Sequence, residues 1–205
     1  MNKKNKLSLV MLMVVSLSAC GDEDINAVKN FKPNGGNSIA DVLDSWTLCS
    51  STSWSKRPGV NNTVIVEYSC KVSHVNDYVD DVRGMLTENI KLYYGRVPTN
   101  EDNANIEKIT DLKNIDINIL FELGRQKQAI PYRSMITYHW KDGLSGSADN
   151  MVSGVMMAAK TNRGSFFDIM DGNPQGMANV YIASESRMKI FSSIRDKASK
   201  NKNAD

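Results

Sequence analysis

The chain has 205 residues, 41% of them hydrophobic and 23% charged, enough apolar material for the core of one domain or at most two. Its formal net charge is +2, but residues 1–19 hold three lysines and no acid, leaving 22 basic against 23 acidic side chains in the rest. A remainder at −1 has no global attraction for nucleic acid, so that class of partner is excluded.

Lys3, Lys4 and Lys6 precede "LSLVMLMVVSL", residues 7–17, an apolar run of eleven. At 1.5 Å per helical residue it covers about half of a roughly 30 Å hydrocarbon layer. Too short to span, it has the length and basic flank of a secretory signal. The run ends at Leu17-Ser18-Ala19-Cys20, which resembles the lipobox of bacterial lipoproteins, L-[AS]-[GA]-C. The resemblance implies that the Cys20 thiol takes a diacylglyceryl group, that residues 1–19 are removed, and that Cys20 becomes the mature N-terminus. It also implies delivery to the cell envelope, with a covalent lipid and no other cofactor. Two or three acyl chains, at about 0.8 kcal/mol per buried CH₂, anchor firmly where one would not. In that family an Asp directly after the Cys retains the protein in the inner membrane. Gly21 stands there in this chain, which favours the outer membrane, with the domain facing the periplasm.

Residues 20–37 are polar and contain Pro33, Gly35 and Gly36; they read as a flexible tether. The folded part is expected at 38–194, followed by a mixed-charge tail, 195–205. Ser38-x-x-Asp41 makes an imperfect capping box, and Ile39, Val42, Leu43 and Trp46 follow on one helical face, with Cys49 at its edge. "SSTSWS" and "TVIVEYSCKV" read as a hairpin turning at Pro58-Gly59, the second strand facing Val64, Val66, Tyr68, Cys70 and Val72 inward.

With Cys20 lipidated, Cys49 and Cys70 remain, in a compartment that permits disulfides. A hairpin centred between Gly59 and Val60 sets positions 49 and 70 opposite each other, so the two are expected to bond. The alternatives are two buried free thiols or a metal or redox pair; the latter lacks the C-x-x-C spacing. The stretch "SIADVLDSWTLCSSTSW…VEYSC" is also loosely similar to a helix–hairpin module of uncharacterised bacterial envelope proteins, which implies no activity.

Residues 76–95 place Tyr78, Val79, Val82, Met85, Leu86, Ile90 and Tyr93 at helical spacing, with Asn76 or Asp77 as cap and Gly95 as stop. The polar stretch 96–113 reads as a loop with at most a helical turn. "IDINILFEL" alternates cleanly, with Ile115, Ile117, Ile119, Phe121 and Leu123 inward, and "YRSMITYHW" reads as its antiparallel partner. "KDGLSGSAD" reads as a turn, and "MVSGVMMAA" as a strand in preference to a helix. A helix is expected near "ESRMKIFSSI", residues 185–194. The fold class is α+β: an antiparallel sheet with helices on one face and one disulfide.

Catalytic and metal motifs are missing. His74 and His139 lack a His or Cys partner at ligand spacing, so no metal site is expected. "GLSGSAD" fails G-x-S-x-G because Ser147 stands where the second Gly belongs; a triad of Ser145 or Ser147 with His139 and some Asp is the residual hydrolase reading. Met151, Met156, Met157, Met170, Met177 and Met188 lack the dense repeat of a copper site and read as core fillers. Trp54 and Trp140 are the candidate partner contacts. The leading reading is a non-enzymatic, lipid-anchored envelope protein that works through protein contacts, of the assembly, secretion or conjugation, or exclusion or immunity kind. A small-ligand-binding lipoprotein and an envelope hydrolase are the alternatives.

Overall fold

The computed structural model describes residues 22–124, 126–164, 166, 176–186, 188, 189 and 192. Residues 1–19, expected to be a signal peptide, Cys20, Met170 and the tail 195–205 lie outside the described residues, as does part of the helix expected at 185–194. The described chain forms a five-stranded antiparallel meander in the order β1-β2-β3-β4-β5, comprising β1 (Cys49–Pro58), β2 (Val64–Val72), β3 (Leu112–Leu123), β4 (Ala129–Trp140) and β5 (Ser145–Asn150). Helices cover its inner face: α1 (Glu23–Asn30), α2 (Ile39–Leu43), α3 (Val75–Tyr94), α4 (Asn100–Thr110), α5 (Val152–Lys160) and a sixth helical segment, 176–186.

The inner layer follows from alternation. Val66, Tyr68, Cys70 and Val72 of β2, and Ile115, Ile117, Ile119, Phe121 and Leu123 of β3, are all buried, as every second residue of a one-sided strand must be. Ile136, Tyr138 and Trp140 continue that surface on β4. Over it, α3 lays Tyr78, Val79, Val82 and Leu86, at the spacing of one helical face, and Gly95 ends it in the left-handed region at φ 62°. The cap is His74, at φ 52°, rather than Asn76 or Asp77.

The Ser38 box forms in full: Ser38 Oγ accepts from the Asp41 N–H at 3.1 Å, and Asp41 Oδ2 accepts from the Ser38 N–H at 3.0 Å. The helix it starts is short, closing at Asp44, so Trp46 reaches the core from a turn and donates its indole N–H to the Arg163 carbonyl at 2.8 Å.

Four readings are corrected. The stretch taken as a tether is largely structured: Asp22 caps α1, Val28 is fully buried, and the Ile39 N–H donates to the Phe31 carbonyl. The polar stretch 96–113 holds a complete helix, α4, opened by a capping box between Thr99 and Asp102. "SGSADN" is a strand, imposed by pairing along β4. "VSGVMMAAK" is a helix that buries Val155, Ala158 and Ala159, a face too narrow to be told from a strand in so short an apolar run. In addition, the 176–186 helix begins about ten residues before the expected one.

Candidate functional site

The two described cysteines form the disulfide Cys49–Cys70, with Cα atoms 5.4 Å apart. The pairing is as expected, but the register is not. Thr52, not Cys49, stands opposite Cys70, and Cys49 pairs with Val72. The turn causes the shift. The reversal occupies Gly59–Thr63, with Asn61 and Asn62 both at positive φ, a conformation their short polar side chains tolerate. A bulge between Cys49 and Ser51 brings Cys49 back by one position, opposite Val72, and the bond to Cys70 runs diagonally. The Gly59–Thr63 turn also requires its glycine, since a Cβ at 59 would stand 2.3 Å from Thr63 Oγ1.

The tryptophans separate. Trp140 is 2% exposed and donates its indole N–H to the Ile109 carbonyl at 2.7 Å, which corrects its reading as a partner contact. Trp54 is half-buried against Tyr68 and Phe121, gives its N–H to Asp44 Oδ1 at 2.8 Å, and carries Lys29 Nζ over its ring at 5.4 Å. The Trp140 ring is enclosed, and Trp54 keeps part of its ring at the surface.

The outer face of the sheet carries a row of polar groups across β2, β3 and β4. Asn118 Nδ2 donates to Glu67 Oε1 and to Ser69 Oγ, each at 2.8 Å, and His139 Nε2 lies 2.9 Å from Asp116 Oδ2. Ser145 stands opposite His139 across the β4–β5 ladder, while Ser147 Oγ is bonded to Thr137 Oγ1 at 2.8 Å. Among the described residues no group of three or more His, Cys, Asp or Glu side chains is placed to hold a metal ion. His74 lines a small cleft with Asp77, Asp81 and Phe166.

Burial governs the perturbed phenols. Tyr68, which donates to the Leu43 carbonyl at 2.7 Å, and Tyr138 are held well above the ordinary phenol range by loss of solvent. Burial pushes Tyr78 up to about 12. Burial and the Asp142 carboxylate, 3.0 Å away, do the same for Tyr181, to about 12. Asp102 is held far below the carboxylate range by the Arg96 guanidinium and by hydrogen bonds from Thr99.

The exposed apolar surface gathers where α3 ends. Leu92, Tyr93, Tyr94 and Val97 are 74%, 76%, 71% and 77% exposed, although Tyr93 was expected to face inward. Tyr93 and Tyr94 rim a cleft of about 410 Å³ whose floor includes Ile90 and Ile106 and whose far wall includes Ile182 of the 176–186 helix. The signal was present in "KLYYGRV", where apolar residues occupy successive positions and break the one-face pattern of the helix. A second cleft, of about 250 Å³, lies between α2 and α5 and includes Val42, Met156 and Met157.

No helix among the described residues is long and apolar enough to cross a membrane. Compared with protein-family models, with curated proteins and with solved structures, the chain matches none.

Proposed function

We propose that the protein is a lipid-anchored bacterial envelope protein, held to the membrane through Cys20 and acting by contact with another envelope protein. The contact is the kind made by assembly factors, secretion or conjugation components, and exclusion or immunity factors. The observation that carries this reading is the cluster Leu92, Tyr93, Tyr94 and Val97. Folding gains nothing from four large apolar side chains left in water within six residues of chain, and such clusters mark surfaces that another protein covers. Arg96, which lies over the Tyr94 ring, and Asp102, which lines the cleft, are paired with each other, so the surface suits an apolar segment of the partner.

A photo-crosslinking side chain at Tyr94, in protein kept in its native membranes, should give a discrete adduct that Tyr93→Glu abolishes. The same probe at exposed Lys113 should give none. Equal yields from both positions would remove the contact reading. The anchor is tested separately: Cys20→Ala should leave unprocessed precursor without palmitate label.

The Met156–Met157 cleft supports a second reading, a small apolar ligand, since thioethers adapt to irregular guests. At about 250 Å³ it falls just below the roughly 300–1,000 Å³ usual for ligand pockets, which puts that reading second. Small molecules co-purifying with the protein, lost in Met156→Glu, would promote it.

A further inference from the structure

The helix α1 begins three residues after Cys20, capped by Asp22, and its start is fixed to the domain. Lys56 Nζ holds Asp22 at 2.7 Å and Asp24 at 3.0 Å, and Lys127 is paired with Glu23. One turn further on, Val28 is sealed in the core, so the helix cannot swing away as a unit while the domain stays folded. The place where α1 starts is defined by its neighbours. Asp24 lines a cleft of about 410 Å³ together with Asn61, Asn62, Thr63, Gly124 and Lys127. These residues belong to the β1–β2 turn and the β3–β4 connection, which close the same end of the sheet. The entry to α3, the exit from α4 and the β4–β5 turn lie at the opposite end, where β2 finishes and β3 starts.

The two steps from Cys20 to Asp22 span at most about 7 Å. β3 alone, twelve residues long, extends for about 40 Å. A body of that length on a leash of 7 Å cannot present an arbitrary face to its anchor. Resting on the reading of Cys20 as the acylated residue, we infer that the domain has no free tether and stands on the bilayer by the end that carries the β1–β2 turn and the β3–β4 connection, with Val60 in the headgroup layer. Val60 is apolar, 82% exposed, and sits at the tip of the turn between Gly59 and two asparagines. Lys56 and Lys127, two described cations at this end, are already engaged by Asp22, Glu23 and Asp24. The far end of the sheet is then held away from the membrane, facing the aqueous compartment.

The test uses the full-length acylated protein in phosphatidylcholine vesicles. With Cys20 in thioether linkage and Cys49 bonded to Cys70, Val60→Cys or Lys113→Cys supplies the one free thiol for an environment-sensitive dye. Lys113 is exposed and lies at the far end, beside the start of β3. The expected result is blue-shifted emission at position 60, mostly lost when headgroup-level nitroxide lipids are included, and neither effect at position 113. A ten-residue Gly/Ser insert between Gly21 and Asp22, with an r.m.s. reach of roughly 18 Å, should relieve the quenching at 60 while the protein stays on the vesicles. Vesicle-bound protein with equal emission at 60 and 113 would overturn the orientation and leave the anchor standing. Protein that carries no acyl chain and fails to float with vesicles would overturn both.

Discussion

Val28→Ala is the sharpest probe of whether the segment before Pro33 belongs to the fold. Val28 is fully buried in the core, and its helix touches β1, β2 and β3. The change removes two methyl groups, about 0.8 kcal/mol each in transfer free energy. Incomplete closure of the space left behind brings the total to about 2 kcal/mol. In a chain of this length 1 kcal/mol moves the midpoint by about 2–4 °C, so melting should fall by about 4–8 °C. Circular-dichroism melts and urea titrations measure it, and the urea slope should not change, because the surface exposed on unfolding is nearly the same. Asn26→Ala, on the exposed side of the same helix, is the control and should be neutral or slightly stabilising through helix propensity. A Val28→Ala protein that melts with the wild type would show α1 to be a detachable lead. The short leash to Cys20 would fall with it.

Reduction of Cys49–Cys70, which closes a loop of 21 residues, should cost about 3 kcal/mol and lower the midpoint by about 6–12 °C; an unchanged midpoint on complete reduction would mean that the bond is energetically idle. Gly146→Ala puts a Cβ 2.6 Å from Val180 Cγ1 and 2.3 Å from Ser184 Oγ, so it should cost about 1–3 kcal/mol by forcing the 176–186 helix off β5, and a neutral urea midpoint would refute that close approach. The phenols of Tyr68, Tyr78 and Tyr138 are raised above their unfolded value of about 10, so the folded state holds these protons more tightly. Their contribution is therefore complete below about pH 10 and is lost as pH climbs through the folded values, and the urea midpoint should drop in that window. Ultraviolet phenolate titration checks it: all seven tyrosines ionising near pH 10 in the native protein would contradict the burial account.

Much of the sheet and two helix boundaries were legible because their information is local and periodic. Alternation from Ile115 to Leu123 needs no neighbour to be recognised, nor does the Ser38–Asp41 box or the stop at Gly95. The disulfide was legible from elimination and parity, although the register behind it was wrong by three positions, because a turn with two left-handed asparagines leaves little trace in composition. Of the proposed contact surface, only the break in pattern at "KLYYGRV" was visible; that Ile182 faces it across a cleft was not.

By itself the sequence determined the fold class, the central strands and the cysteine partners, since each depends on residues close in the chain or on a simple count. Only the tertiary structure decided that α1 is part of the core, because the face made by Ile25 and Val28 in a polar octapeptide is too short to stand out from a loop. It alone also made "SGSADN" a strand, where β4 supplies the ladder and the nearby helix demands Gly146, and it alone buried Trp140 while leaving Tyr93 and Tyr94 in water. Those outcomes are set by which surfaces meet across long stretches of chain, and no local pattern carries that information.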